Sequence, residues 1–162
     1  MKTINRRIVT AYIVSADDKI LLGRKKAGGV YADYLHNPGG GVEEGESDNE
    51  ALRREVLEET GIDIATAKVS LVDNQGHGEA VKTLSSGEKV LVKMQFNVYK
   101  AELEELSDAV KVTAGDDLED LQWFDLNNLK SINFTPPAEE QFKRIGTDWL
   151  TSRLDLQKEG VA

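Results

Sequence analysis

Apolar and polar positions alternate most cleanly between Val90 and Tyr99, where Val90, Val92, Met94, Phe96 and Val98 interleave with Leu91, Lys93, Gln95, Asn97 and Tyr99. A period of two predicts a β-strand whose first set faces a core. Lys93, Gln95 and Asn97 then share a face that is either solvated or lines a cleft, with solvent the first expectation. Residues 6–15 are rich in β-branched side chains, Asp17-Asp18-Lys19 makes a polar turn, and Ile20-Leu21-Leu22 resumes before Arg24-Lys25-Lys26, which reads as a hairpin. Residues 27–45 hold six of the fourteen glycines and predict a loop. Ser47 to Thr60 has helix-forming composition, with Ser47 and Glu50 spaced as a capping box and Gly61 at the C′ position. Ile62 to Asp73 and Leu118 to Phe124 are β-prone, and Asp125 to Leu129 reads as a single turn. Pro136 or Pro137 starts a last helix to about Leu154, with a frayed tail from Gln157.

Strands interleaved with two long helices predict a mixed α/β or α+β layered domain. At 162 residues the expectation is one domain, 1–162, with no repeat or linker. Twenty Lys and Arg against twenty-nine Asp and Glu give a net charge of −9, which argues against affinity for nucleic-acid backbones or anionic membranes. A phosphate-bearing substrate would need a local cation or a metal. The chain has no cysteine, which excludes disulfides, thiol catalysis and zinc-thiolate sites and fits a reducing, cytoplasmic setting. Lys2, Arg6 and Arg7 before the apolar run Ile8 to Val14 resemble a short signal peptide, but the run contains Thr10 and Tyr12 and leads at once into a turn and a second strand. No stretch reaches the roughly 18 apolar residues of a membrane span.

On a helical wheel of about 100° per residue, Glu55, Glu58 and Glu59 share one face. Ala51 lies in the same arc and leaves room beside it, while Leu52 and Val56 flank it and point to the core. Three like charges this close repel one another, and a bound divalent cation would remove the conflict. Glutamate-rich solvated helices are common, so the spacing alone is weak. The loop before the helix strengthens it, because Pro38-Gly39-Gly40-Gly41 brings main-chain N–H and C=O groups close to whatever the carboxylates hold.

Gly40, five residues, Glu46, seven residues, then Arg54-Glu55-Val56-Leu57-Glu58-Glu59-Thr60-Gly61-Ile62 resembles the Nudix box, G-x5-E-x7-REUxEExGU with U aliphatic, and fills every fixed position over residues 40–62. Pro38-Gly39, Ala51, the leading hairpin and Trp123-Phe124 are also similar to that family. The resemblance implies an αβα sandwich around a mixed sheet and hydrolysis of a nucleoside diphosphate linked to another group X. It also implies Mg²⁺ or Mn²⁺ as cofactor, hard cations suited to carboxylate and phosphate oxygens. By that pattern Glu58 and Glu59 are metal ligands, Glu55 a ligand or the general base, and the Gly39 carbonyl a further ligand. Gly40 lies against substrate and Gly61 closes the box, while Arg54 and Glu46 brace the loop without touching the reaction.

Outside the box, Arg24 ends the second strand where family members often carry a phosphate-binding cation, or else is a solvated strand end. Tyr34, like Tyr31, is a candidate to stack on a base, or simply packs. Asp117, six positions before Trp123, is the residue the family pattern offers as a further metal ligand, against a plain acidic loop. Subfamilies differ some 15 to 18 positions after the box, by a proline in many ADP-ribose hydrolases or a tyrosine in many dinucleoside polyphosphate hydrolases. His77 to Ala80 has neither. Elimination therefore favours a nucleoside triphosphate or modified triphosphate, giving monophosphate and pyrophosphate, over a nucleotide sugar or ADP-ribose. A non-catalytic nucleotide-sensing module would be favoured by loss of a box glutamate, and none is lost. The expected partner is a small nucleotide rather than a nucleic-acid polymer or a membrane, with a homodimer left open.

Overall fold

The computed structural model describes residues 1–25 and 31–153. Strand β1 (Lys2–Val14) turns through Asp18, at φ 55°, into antiparallel β2 (Lys19–Lys25), as the hairpin pattern predicts. The glycine-rich segment is less irregular than its composition suggests. It contains β3 (Leu35–His36), which pairs with β2, and β4 (Gly39–Gly41), which pairs antiparallel with β1 through Thr10↔Gly39 and Ile8↔Gly41. Helix α1 (Asp48–Thr60) follows with its capping box formed and Gly61 at φ 76° in the left-handed region.

A 3₁₀ turn at Ile64–Thr66 occupies the first part of the β-prone segment, so β5 begins only at Lys68 and runs to Thr83. It pairs antiparallel with β6 (Lys89–Glu102), which lies parallel to β1 along its whole length. Strand β7 (Leu118–Asp125) returns antiparallel to β2. The main path of the sheet is β3-β2-β1-β6-β5, with β4 on β1 and β7 on β2. Residues 126–131 form a 3₁₀ segment rather than a single turn. The last helix is shorter than expected: α2 (Pro136–Ile145) stops at Gly146, φ 73°, and α3 (Asp148–Thr151) is a separate turn. Leu154 and the tail from Gln157 lie outside the described residues.

Alternation along β1 sorts the core into two layers. Val9, Ala11 and Ile13 face α1 and pack with Leu52 and Val56; Tyr12 and Val14 face α2 and α3 with Ala138 and Leu150. This is the sandwich of helices around a mixed sheet that the resemblance implies. No described helix is long and apolar enough to cross a membrane. The alternation in β6 holds for Val90, Val92 and Val98, which are buried, whereas Met94 and Phe96 are half-buried.

The polar face of β6 is not simply solvated. Asn97 is buried and donates to Asp48 at 2.6 Å, at the start of α1, while exposed Lys93 and Gln95 line a cleft. Further along, Lys100 is turned inward, its side chain 3% exposed, and its Nζ donates to the carbonyls of Trp149 at 2.7 Å and Ser152 at 2.8 Å. Glu102 and Arg153 complete this buried charged group. Removing one partner of such a group strands the others without water. Lys100→Ala is expected to lower unfolding free energy by about 3 kcal/mol in urea titration; a loss under about 1 kcal/mol, the scale of an exposed pair, would show that these bonds do not hold α3 to the sheet.

Candidate metal and phosphate site

The capping box starts α1 at a fixed register, and that register sends Leu52 and Val56 into the core. Glu55 and Glu59 then rise beside the sheet, four residues apart on one face. Glu59 is 3% exposed, and its Oε1 accepts from the Gly39 N–H at 2.7 Å. Gly40 lies flat against Glu55, close enough that a Cβ there would collide with the carboxylate. The glycine run is thus needed for the approach of strand β4 to the helix.

Carboxylate oxygens of Glu55, Glu59 and Asp116 lie within 4.8 Å of one another, a set of hard oxygen donors suited to a divalent cation. Asp116 arrives on the loop that precedes β7. Thr113 N–H donates to the Thr60 carbonyl at 2.8 Å and Gly115 N–H to the Glu59 carbonyl at 3.1 Å, so the loop docks on the end of α1. A Cβ on Gly115 would strike the Glu58 carbonyl, and Asp116 follows at φ 52°. This turn brings Asp116, and not Asp117, to the glutamates. Asp117, the residue six before Trp123, follows this left-handed turn and lies outside the cluster. Glycine before an acidic run was the available signal.

Glu58 stands outside that close set. Its carboxylate lies 3.6 Å from Arg54, with the side chain about half exposed. Arg54 has the bracing position expected of it. It donates to both oxygens of Glu46 at 2.7 and 2.9 Å, to Glu55 at 2.9 Å and to the Gly41 carbonyl at 3.1 Å. One guanidinium therefore ties the loop, the helix and a site carboxylate together, a geometry that lysine cannot reproduce. Arg54 holds the Glu46 carboxyl down to about 2.

Strand β2 contributes differently from the sequence expectation. Arg24 is exposed, opposite Leu35 and Glu119 in the sheet. It is Lys25, on the opposite face, whose charge acts on Glu59. Tyr34 and Tyr31 pack edge to face on one another, ring centroids 5.9 Å apart, and the Tyr31 carbonyl bonds His36 at 2.8 Å. A cleft of about 830 Å³ lies beyond Gly41, between Val42–Glu46 and Arg6, Arg7, His77 and Lys93. It includes none of the clustered carboxylates.

A model of the NUDIX domain matches residues 4–148. An ADP-ribose pyrophosphatase of Methanocaldococcus jannaschii is 34% identical over 122 residues, 75% of this chain and 63% of that protein. The chain thus spans less than two thirds of that relative's length. The NUDIX domain of Shewanella oneidensis NrtR, solved in complex with ADP ribose, superposes with a TM-score of 0.62 at 14% identity, covering 87% of this chain and 86% of that one. A bifunctional NMN adenylyltransferase/ADP ribose pyrophosphatase of Francisella tularensis, complexed with AMP and a Mn ion, gives 0.56 at 23% identity, covering 87% and 41%. At these identities the two structures establish the fold.

Burial, with the charges of Glu55 and Asp116, pushes the Glu59 carboxyl up to about 8, against the Gly39 N–H and Lys25, and burial also raises that of Glu55. Between the ordinary glutamate value and about 8 the folded protein keeps the Glu59 proton while the unfolded chain releases it. The folded state binds more protons, so stability falls as pH rises through that window. Metal-free protein should therefore melt at a lower temperature at pH 8 than at pH 5.5, and Glu59→Gln should flatten the difference. A wild-type melting temperature that rises across this interval, or an unchanged slope in Glu59→Gln, would contradict the assignment.

Proposed function

We propose a reaction for this site on the premise that the chain belongs to the NUDIX domain family. The reaction is hydrolysis of a diphosphate bond in a nucleotide: water adds to one phosphorus, the bridging P–O bond breaks, and two phosphate-bearing products leave. The observation that carries this reading is the convergence of Glu55, Glu59 and Asp116 beside a glycine strand whose backbone packs directly on the site carboxylates. Glu59 and Asp116 would hold a divalent cation, Mg²⁺ or Mn²⁺, with Glu58 and the Gly39 carbonyl as further candidate ligands. Once bound, the ion would neutralise phosphoryl charge and lower the pKa of water. Glu55 completes the ligand set or takes the proton from the attacking water, and Arg54 fixes its direction. Gly40, packed on the Glu55 carboxylate, presents main chain beside the cluster to the substrate, and Lys25, whose charge acts on Glu59, is the β2 cation to set beside Arg24.

The substrate we propose is a nucleoside diphosphate linked to a second group, with ADP-ribose the first compound to test, because the M. jannaschii relative carries that activity in its name. A nucleoside triphosphate is the second reading, favoured by the lack of proline or tyrosine at His77 to Ala80. Purified protein with Mg²⁺ should be assayed against both, with phosphate and pyrophosphate detected separately. Turnover of ADP-ribose to AMP, with triphosphates poor, supports the first reading; pyrophosphate release from a triphosphate supports the second; turnover undiminished in excess chelator would overturn both.

Glu58→Gln and Glu59→Gln should each reduce turnover by more than the roughly 10- to 100-fold that follows loss of a group merely orienting a ligand, without unfolding the protein. Asp116→Asn should raise the Mg²⁺ concentration for half-maximal rate about tenfold, while Asp117→Asn leaves it unchanged. The reverse ranking would return the ligand role to Asp117.

A further inference from the structure

We infer that Asp48 is a positioning residue for Glu59, acting as a clamp that fixes the N-terminal end of α1 to the sheet. The inference rests on the reading that Glu59 and Gly39 belong to the metal site. Asp48 is the first residue of α1, and both of its oxygens accept from neighbouring strands. Oδ1 accepts from Arg7 Nε of β1 at 2.9 Å, and Oδ2 accepts from Asn97 Nδ2 at 2.6 Å and the Tyr99 hydroxyl at 3.1 Å, both of β6. An acidic residue in the first turn of a helix commonly does no more than meet the helix dipole. Here three donors from two paired strands converge on it. Burial opposes the charge, yet the bonds from Asn97, Arg7 and Tyr99 hold the Asp48 carboxyl below its ordinary value.

The donors are themselves held in place. Arg7 lies opposite Gln95 in the parallel pairing of β1 with β6, one pair before Val9 opposite Asn97 on the same face. Asn97 is buried, and its Oδ1 accepts from the Gln95 amide at 3.3 Å, which leaves its nitrogen for Asp48. The Arg7 carbonyl accepts from the Val42 N–H at 2.9 Å. One residue of β1 therefore closes segment 42–48 at both ends, by main chain at Val42 and by side chain at Asp48.

Glu59 follows Asp48 by eleven residues, three helical turns and about 20°, so the two stand at opposite ends of one stripe about 16 Å long. Leu52 and Val56, between them, are buried in the core. Apolar burial is non-directional and sets which face turns inward more closely than the position along the axis. A site ligand must be held within about 0.5 Å of its place. Direction comes from the polar ends of the stripe: Asp48 on Arg7, Asn97 and Tyr99, and Glu59 on the Gly39 N–H at 2.7 Å. Arg54 ties the helix to the loop before it, whereas Asp48 ties it to the sheet. Releasing Asp48 therefore lets the helix shift against β4 and lengthens the bond at Glu59.

Asp48→Asn keeps the shape but sets an amide nitrogen against that of Asn97. Exchanging the pair, Asp48→Asn with Asn97→Asp, restores one donor and one acceptor between the two positions. Val14→Ala, in the opposite apolar layer, supplies a loss of stability without touching the clamp. Two readouts are taken in full-length protein: the ¹⁵N–¹H shift of the Gly39 amide without metal, and Mn²⁺ affinity by electron paramagnetic resonance. In Asp48→Asn the amide proton should move upfield, as its bond to Glu59 lengthens, and the Mn²⁺ dissociation constant should rise about tenfold. The exchanged pair should return both towards wild type, and Val14→Ala should lower the melting temperature but move neither. Arg7→Met removes one donor, should shift the amide in the same direction by less, and serves if Asp48→Asn does not fold. An unchanged Gly39 shift in the folded clamp variants, no recovery in the exchanged pair, or an equal change in Val14→Ala overturns the inference. Equal Mn²⁺ binding by wild type and Glu59→Gln would overturn the metal reading instead, while the metal-free shift still decides the clamp.

Discussion

Placing two carboxylates out of water at one spot, on a chain with a net charge of −9, is the constraint to which the rest of the fold answers. Burial and mutual repulsion both oppose the ionised state of Glu55 and Glu59. The last turn of the helix carries no basic residue. Relief comes from Arg54, earlier in the same helix, and from groups outside it. The Gly39 N–H meets Glu59, Arg54 meets Glu55, and the charge of Lys25 also acts on Glu59. These groups reduce the conflict without ending it, since the Glu59 carboxyl still sits at about 8. The residual penalty is what a divalent ion with phosphate oxygens would remove.

The arrangement requires the helix, the glycine strand and the loop before β7 to hold their relative positions closely. Each junction is a backbone approach that a side chain would block: Gly40 on Glu55, and Gly115 on the end of α1. Arg54 secures the first junction through four acceptors on the loop and helix. Main-chain bonds to Glu59 and Thr60 secure the second. The two apolar layers fix the sheet against which these parts are registered, so core packing and site geometry are one problem.

What was legible in the sequence divides along the same lines. The capping box, Gly61 and the hairpin are local patterns and are present as read, while of the glutamate face Glu55 and Glu59 converge and Glu58 lies apart beside Arg54. The strands hidden in the glycine segment were not legible, since β4 exists only through its pairing with β1. Asp116, rather than the expected Asp117, lies with the glutamates, a one-residue difference that depends on the left-handed turn at Asp116 and leaves no mark in the acidic run itself. Of the two β2 cations, Lys25 is the one whose charge acts on Glu59, and which face each residue takes depends on tertiary pairing. The last helix was read too long, as Gly146 ends it where the periodicity would have continued. Asn97 was assigned to solvent because its partner, Asp48, lies 49 positions away.

Calorimetry reads the Glu59 proton directly. If Glu59 is protonated at neutral pH in the metal-free protein, Mn²⁺ must displace that proton to bind, and the release is measured from the dependence of binding enthalpy on buffer ionisation enthalpy. About one proton should be released per bound ion near pH 6.5, falling towards none above pH 9 and lost in Glu59→Gln. Binding without proton release at pH 6.5, or release unaffected in Glu59→Gln, would contradict it.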